Sequence, residues 1–316
     1  MAYTDLSEHQ WMIEDRVRME AYDAALRRMV RPDDVVLDFG CGLGILAMMA
    51  ARAGAKKVYA VDRLSIVRVA QAIAKKNGLS QIDFVFAPEG DFDLPEKVDL
   101  IVSEWMGYFA LHEGMLSALC SARDKHLAPG GRIIPARIRM KAALVTAKAE
   151  HDQRALFRSS PWGFDFSPVA QWAFEGVVGV RFLADDLLEP AALVADLDLA
   201  TIEGMPRAVS GELTPGRAAE VYGIAGWFDT TLAEGVEFGT GPDSPPTHWC
   251  PLYFPFAEPM TVDPSRQVRL RLSPVQLDEV HTRWHWWAGD GKEERSGDDM
   301  TLLAYLRRPL AAGLLK

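Results

Sequence analysis

One stretch constrains this chain more than any other: Val35-Val36-Leu37-Asp38-Phe39-Gly40-Cys41-Gly42-Leu43-Gly44. It reads as an apolar strand running into three alternating glycines, followed by a helix over 45–53. Glycine is required in such a turn because a side chain would collide with a ligand lying against the backbone. Around this unit, Lys57–Val61, Ile82–Phe86 and Val98–Val102 read as further buried strands, and 65–77 and 112–126 as helices. Strand–helix alternation of this kind implies a parallel sheet with helices on both faces.

Three glycines serve a dinucleotide as well as S-adenosylmethionine, and a tight turn without a ligand is the remaining reading. The spacing here is Gly-x-Gly-x-Gly rather than Gly-x-Gly-x-x-Gly, and an acid, Asp38, stands on the strand just before the loop. Both features lean towards S-adenosylmethionine. Asp62 ends the next strand, 18 residues after Gly44, where one carboxylate can accept both ribose hydroxyls.

The texture changes after Pro135. Strand-like segments follow one another at 137–147, 177–184, 192–199, 220–231, 267–275 and 280–288, with Val268, Leu270 and Leu272 alternating with Arg269 and Arg271 as in a half-buried strand. A sandwich or barrel is expected there. Residues 150–176 interrupt it with a helical, aromatic-rich insertion (Phe157, Trp162, Phe164, Phe166, Trp172, Phe174). Residues 6–30 contain no Pro or Gly, and Trp11, Ile13, Val17, Ala21, Ala24 and Leu26 recur at helical spacing up to Arg31-Pro32, which predicts one or two amphipathic helices. The expected organisation is N-terminal helices over 1–30, an α/β Rossmann-like domain over 31–135 and an all-β, barrel-like domain over 136–316.

Composition excludes several classes. With 49% apolar and 25% charged residues among 316, the chain is globular rather than disordered or fibrous. A net charge of −10 disfavours nucleic acid as a partner and favours a cationic substrate. No apolar run reaches the ~18 residues of a membrane span, and Met1-Ala2-Tyr3-Thr4-Asp5 lacks the basic-then-apolar pattern of a secretory signal. The three cysteines, Cys41, Cys120 and Cys250, give neither a disulfide set nor a zinc spacing, so a cytoplasmic setting is expected.

Ser103-Glu104-Trp105-Met106-Gly107-Tyr108-Phe109-Ala110-Leu111-His112-Glu113-Gly114-Met115 follows the fourth strand and so leaves the carboxyl edge of the sheet, where ligands bind in this architecture. Two glutamates around a Gly-Tyr turn can face each other across a small pocket. A metal would recruit more His or Asp than the nearby His112, so no metal is expected. A guanidinium, planar and cationic at every accessible pH, suits two carboxylates; solvated loop acids are the bland alternative. Pro245-Pro246-Thr247-His248-Trp249 lies in a Pro-rich loop, where a lone His is more often structural. His9, Met12, Asp15, Arg18 and Tyr22 share one face of the first helix, against the alternative of a solvent-facing stripe with an Asp15–Arg18 pair.

Taken together these stretches resemble the protein arginine methyltransferase family almost end to end, from Tyr3 to the last strands. GILAMMAARAGAKKVYAVD resembles its first motif, SEWMGYFALHEGML its double-glutamate loop, Thr247-His248-Trp249 its barrel loop, and HQWMIEDRVRMEAY its cofactor-covering helix. Lys125-His126-Leu127-Ala128-Pro129-Gly130-Gly131 falls where that family closes its cofactor domain. The resemblance implies S-adenosylmethionine as cofactor and arginine as acceptor. Arg18 would pair with the methionyl carboxylate, with His9 nearby. Gly40, Gly42 and Gly44 would carry the backbone beside the cofactor, Asp62 would hold the ribose, and Glu89, rather than Asp91, would sit near the adenine. Glu104 and Glu113 would grip the guanidinium, and Asp15 would pair with His248 across the two domains. Met12 and Met115 would line the acceptor nitrogen, and 150–176 would be the arm of a homodimer.

The family usually has a tyrosine-bearing helix ahead of the position of Tyr3 and often accessory domains. Their expected absence makes free L-arginine, or another small guanidino metabolite, a rival to protein arginine as acceptor. A cofactor-binding scaffold without catalysis and a nicotinamide dehydrogenase are the alternatives from other classes.

Overall fold

The computed structural model describes residues 6–276 and 282–299. Tyr3, residues 280–281 of an expected strand and the end of the expected 136–316 domain lie outside them. Two helices open the chain, α1 (Leu6–Glu14) and α2 (Arg16–Met29), broken at Asp15. Asp15 makes the break: its Oδ1 accepts the Arg18 backbone N–H at 3.0 Å, satisfying a first-turn donor that has no partner inside the helix. Leu26 of α2 is buried as its spacing predicts, but in α1 the polarity is the reverse of the expected packing face. Trp11 and Ile13 are exposed, at 61% and 45%, whereas His9, Asp15, Arg18 and Tyr22 are buried. The polar stripe is the inner one because its members find partners there.

The chain continues through β1 (Val35–Phe39), α3 (Ile45–Arg52), β2 (Lys57–Asp62), α4 (Val67–Lys76), β3 (Ile82–Phe86), β4 (Val98–Val102), α5 (Leu116–His126) and β5 (Leu127–Ile134). The five strands pair in parallel in the order β3-β2-β1-β4-β5. From β1 the chain winds outward to β3 and then returns to the far side of β1 as β4. The sheet order therefore reverses between β1 and β4, and the loops leaving these two strands diverge and open a crevice at their carboxyl ends. Asp38 is in register with Ala60 on one side and Val102 on the other, so the glycine loop and the Glu104 loop emerge side by side.

The described residues form two compact units, 6–139 with 196–205 and 228–250, and 140–195 with 206–227, 251–276 and 282–299. The first holds the parallel sheet and also the antiparallel pair 229–239, whose Phe228 and Phe238 pack on Trp249. The second is antiparallel. Thr282–Gly289 pairs with both Glu294–Asp298 and Val268–Gln276, and Val268–Gln276 also pairs with Val209–Leu213. Leu252–Val262 pairs with 219–226 and with Val178–Gly179. Ala143, Val145, Phe182, Leu187, Ala225, Trp227 and Tyr253 form one cluster of its core. Of the strand expected over 177–184, only Val178–Gly179 forms; the chain then turns to put the Phe182 ring into that core. The insertion at 150–176 contains short helices, Lys148–Arg154 and Ser167–Ala170, linked by 3-10 turns.

Candidate active site

Every predicted site residue lies among residues of the first compact unit. Arg18, on α2, reaches Glu104, the second residue after β4. Its Nε and Nη2 both donate to Glu104 Oε2, at 3.2 and 2.7 Å, while Nη1 donates to the Met12 carbonyl at 2.8 Å. Both side chains are nearly inaccessible, at 5% and 8%. Burial works against the Arg18 charge, but the Glu104 carboxylate outweighs it and the guanidinium is held above its ordinary pKa. An Asp15–Arg18 ion pair is thus not what forms; Asp15 meets only the Arg18 backbone.

The second Asp15 oxygen orients His248. Asp15 Oδ2 accepts the His248 backbone N–H at 2.8 Å and lies 2.7 Å from Nδ1. Burial raises the Asp15 pKa, yet the hydrogen bonds from His248 and Arg18 outweigh it and hold the group below its ordinary value. An ionised Asp15 makes Nδ1 the protonated nitrogen and leaves the Nε2 lone pair for other work. Trp249 stacks on Phe238 with centroids 6.1 Å apart and lies 4.2 Å from the His248 ring. The pair expected across two domains therefore forms inside one compact unit, because 228–250 belongs to the same unit as the parallel sheet.

Glu113 is half-buried and folds back over the turn Gly107–Phe109. Gly107 has φ +57°, and a Cβ there would meet Glu113 Cγ at 3.0 Å and Oε1 at 3.2 Å. Only glycine lets this acid return to within three residues of Glu104 along the loop. In the glycine loop, Gly40, Gly42 and Gly44 all have positive φ. A Cβ on Gly40 would lie 3.0 Å from Met115 Cε, and one on Gly42 would lie 3.2 Å from His9 Cε1, so Met115 and His9 are both at the loop. A groove of about 420 Å³ runs beside it, lined by Leu6, His9, Gln10, Ile13, Glu14 and Leu43.

The donor set suits a zwitterionic amino acid joined to a nucleoside. Arg18 is a buried cation for a carboxylate. Asp38 is buried beneath the loop with Oδ2 on the Ala47 N–H at 2.8 Å, while its Oδ1 has no hydrogen-bond partner among the described residues. An orphan carboxylate oxygen fits an ammonium. Asp62 Oδ1 and Oδ2 each accept one backbone N–H, from Leu64 at 2.7 Å and Gly42 at 2.8 Å, and a carboxylate has capacity for two hydroxyls more. Asp91 is committed to Lys125 at 2.7 Å, whereas Glu89 is exposed on the neighbouring turn. No group of three or more potential metal ligands occurs among the described residues.

Burial pushes the Asp38 pKa up to about 7, more than the Ala47 N–H lowers it. A carboxyl group whose folded-state pKa exceeds its ordinary 3.8 gives stability that is full below that value and lost as pH rises through the folded one. Between about pH 4 and 7, wild-type stability is therefore expected to fall relative to Asp38→Asn by up to about 1.4 kcal/mol per pH unit. Denaturant melts of both proteins at several pH values check this; parallel curves would show that Asp38 does not carry the burden.

Two family patterns match the chain: "Ribosomal protein L11 methyltransferase (PrmA)" over 20–154 and "Arginine methyltransferase oligomerization subdomain" over 139–284. Among curated proteins, protein arginine N-methyltransferase 1 of Schizosaccharomyces pombe is 37% identical over 281 residues, covering 85% of this chain and 82% of the relative. The protein of the same name from Saccharomyces cerevisiae is 34% identical over 278 residues, covering 83% and 78%. Among solved structures, a chain of the Trypanosoma brucei PRMT1 enzyme–prozyme heterotetrameric complex with AdoHcy superposes with a TM-score of 0.84 at 26% identity, covering 94% of this chain and 99% of that one. The parallel sheet with its glycine loop is the class I S-adenosylmethionine-dependent methyltransferase fold, joined here to antiparallel β-sheet. The chain belongs to the protein arginine N-methyltransferase family.

Proposed function

We propose that this protein is an S-adenosylmethionine-dependent N-methyltransferase acting on the guanidino group of an arginine. The observation that carries the reading is the buried Arg18–Glu104 pair at the reversal between β1 and β4, beside the glycine loop. A carboxylate that already holds one guanidinium, beside a turn of three positive-φ glycines, supports this reading. The cofactor, when bound, supplies a methyl on a sulfonium that is open to in-line attack by nitrogen. Arg18 would hold its methionyl carboxylate and Asp38 its ammonium. Asp62 would take the ribose and Glu89 the adenine, with His9 and Met12 covering the site and Gly40, Gly42 and Gly44 giving the close approach.

A guanidinium is a poor nucleophile because its lone pairs are delocalised. Glu104 Oε2 is committed to Arg18, and Oε1 accepts the Met106 N–H at 3.2 Å. Oε1 and Glu113 together are the pair we assign to the acceptor. Held by its far nitrogens, the acceptor keeps electron density on the near one, and the two carboxylates offset repulsion between neighbouring cations. Methyl transfer makes the nitrogen more acidic, so a late proton acceptor suffices. His248 Nε2, with Asp15 on the other ring nitrogen, fits that role, as does either glutamate.

Mass spectrometry of reactions with free L-arginine and with an Arg-Gly-rich peptide tests the activity and separates the acceptors. We expect methylated product from one or both; no guanidino methylation of either would overturn the reading. The unbridged cysteines support a cytoplasmic setting.

We also assign self-association to 150–176. The family pattern named for oligomerization spans this segment. Within it Trp162 is 96% and Phe164 68% exposed, and Trp162 is held at φ +58°, a conformation costly for a bulky residue. Deletion of 152–174, or Trp162→Ala alone, should convert a sedimenting dimer to monomer; an unchanged dimer in the deletion refutes the arm.

A further inference from the structure

Two buried side-chain hydrogen bonds anchor Ser103 at the start of the Glu104 loop, one to the residue before the glycine loop and one to α2, and neither belongs to the sheet ladder. The register between β1 and β4 ends at Asp38↔Val102. One residue further on, the strands diverge into their two loops, and Ser103 Oγ donates across the gap to the Phe39 carbonyl at 2.6 Å. From the other side, Tyr22 on α2 donates its hydroxyl to the Ser103 carbonyl at 3.1 Å. Tyr22 and Ser103 are wholly inaccessible. Phe39 immediately precedes Gly40, and Ser103 immediately precedes Glu104. The Tyr22 ring also lies beneath the Arg18 guanidinium, at 5.8 Å from its centre.

We propose that Ser103 and Tyr22 are positioning residues for methyl transfer. They fix the distance and direction from the glycine loop, which carries the cofactor, to Glu104, which holds the acceptor. The inference rests on the proposed function, because it concerns the gap between those two ligands. A backbone ladder cannot continue where two loops must part to admit a ligand. A side-chain hydroxyl that bridges the first residues after the ladder keeps the separation fixed without closing the crevice. Tyr22 completes the clamp from the helix that also supplies Arg18 and, through its N-cap Asp15, the orientation of His248. Displacing reacting groups by about 1 Å costs on the order of 100-fold in rate, so a clamp of this kind acts on the chemical step rather than on affinity.

Tyr22→Phe and Ser103→Ala test it, each removing one hydroxyl and leaving the packing volume nearly unchanged. The readouts are the single-turnover rate with saturating S-adenosylmethionine and acceptor, the Kd of S-adenosylhomocysteine by calorimetry, and Tm. We expect the transfer rate to fall at least ~10-fold in either variant while the Kd stays within about threefold. A transfer rate within twofold of wild type in both, or a rate loss matched by an equal loss of affinity, overturns the proposal. Should Ser103→Ala fail to fold, Tyr22→Phe alone decides it by the same criteria. Glu104→Gln run alongside separates this inference from its premise. If that variant is inactive while the two clamp variants are normal, only the clamp falls; if it is itself active, the assignment of the acceptor site falls.

Discussion

Glu104→Gln is expected to lower turnover at least ~100-fold without weakening S-adenosylhomocysteine binding. The rate loss follows from removing a preorganised charge beside a cation whose nucleophilicity depends on it. The affinity prediction follows from the geometry. Glu104 takes two donors of Arg18 through a single oxygen, so a neutral partner releases Arg18 rather than removing it from the cofactor's carboxylate. The same substitution leaves a guanidinium in a nearly inaccessible place without its counter-ion. Breaking a buried pair from one side costs about 3 kcal/mol or more, so Tm should fall too. Stopped-time turnover, calorimetry and a thermal melt on one preparation distinguish these effects. Near-normal turnover would remove Glu104 from the chemistry, whatever the melt shows.

The parallel half of the fold was legible because its central strands Val35–Phe39 and Val98–Val102 are buried on both faces and read as apolar runs, and these two and the more exposed Ile82–Phe86 carry the boundaries expected of them. Leu127–Ile134 escaped notice because Pro129-Gly130-Gly131 reads as a turn. As the terminal strand β5 of the sheet, it pairs on one side only and tolerates that composition. Leu252–Val262 does not read as a strand for a related reason: Pro255 and Pro259 lie inside it. At the site, the stripe His9, Met12, Asp15, Arg18 and Tyr22 was visible as helical spacing, but its burial was not. Periodicity assigns the apolar face inward, and only the partners Glu104, His248 and Ser103 explain why charged groups lie there instead. Those partners are 86, 233 and 81 positions distant. No local signal announces such pairing, so Tyr22 stood in the stripe without a role and Ser103 in the motif without one.

Arg18→Met is expected to be the most damaging single change, because Arg18 serves two carboxylates. One is Glu104, which the structure places against it; the other is the cofactor's, by the proposed assignment. Loss of the second should weaken S-adenosylhomocysteine binding by about 30-fold or more, the lower range for truncating one member of a desolvated charge pair. Loss of the first strands a carboxylate where water hardly reaches, costing about 3–5 kcal/mol. The double variant Arg18→Met with Glu104→Gln provides the internal control: with no uncompensated charge left inside, it should recover much of the Tm that Arg18→Met loses. It should recover none of the cofactor affinity, because that depends on the cation alone. If the double variant melts as low as Arg18→Met, the stability loss comes from packing rather than charge. If Arg18→Met binds S-adenosylhomocysteine as wild type does, Arg18 is a structural counter-ion to Glu104 and the cofactor's carboxylate is held elsewhere.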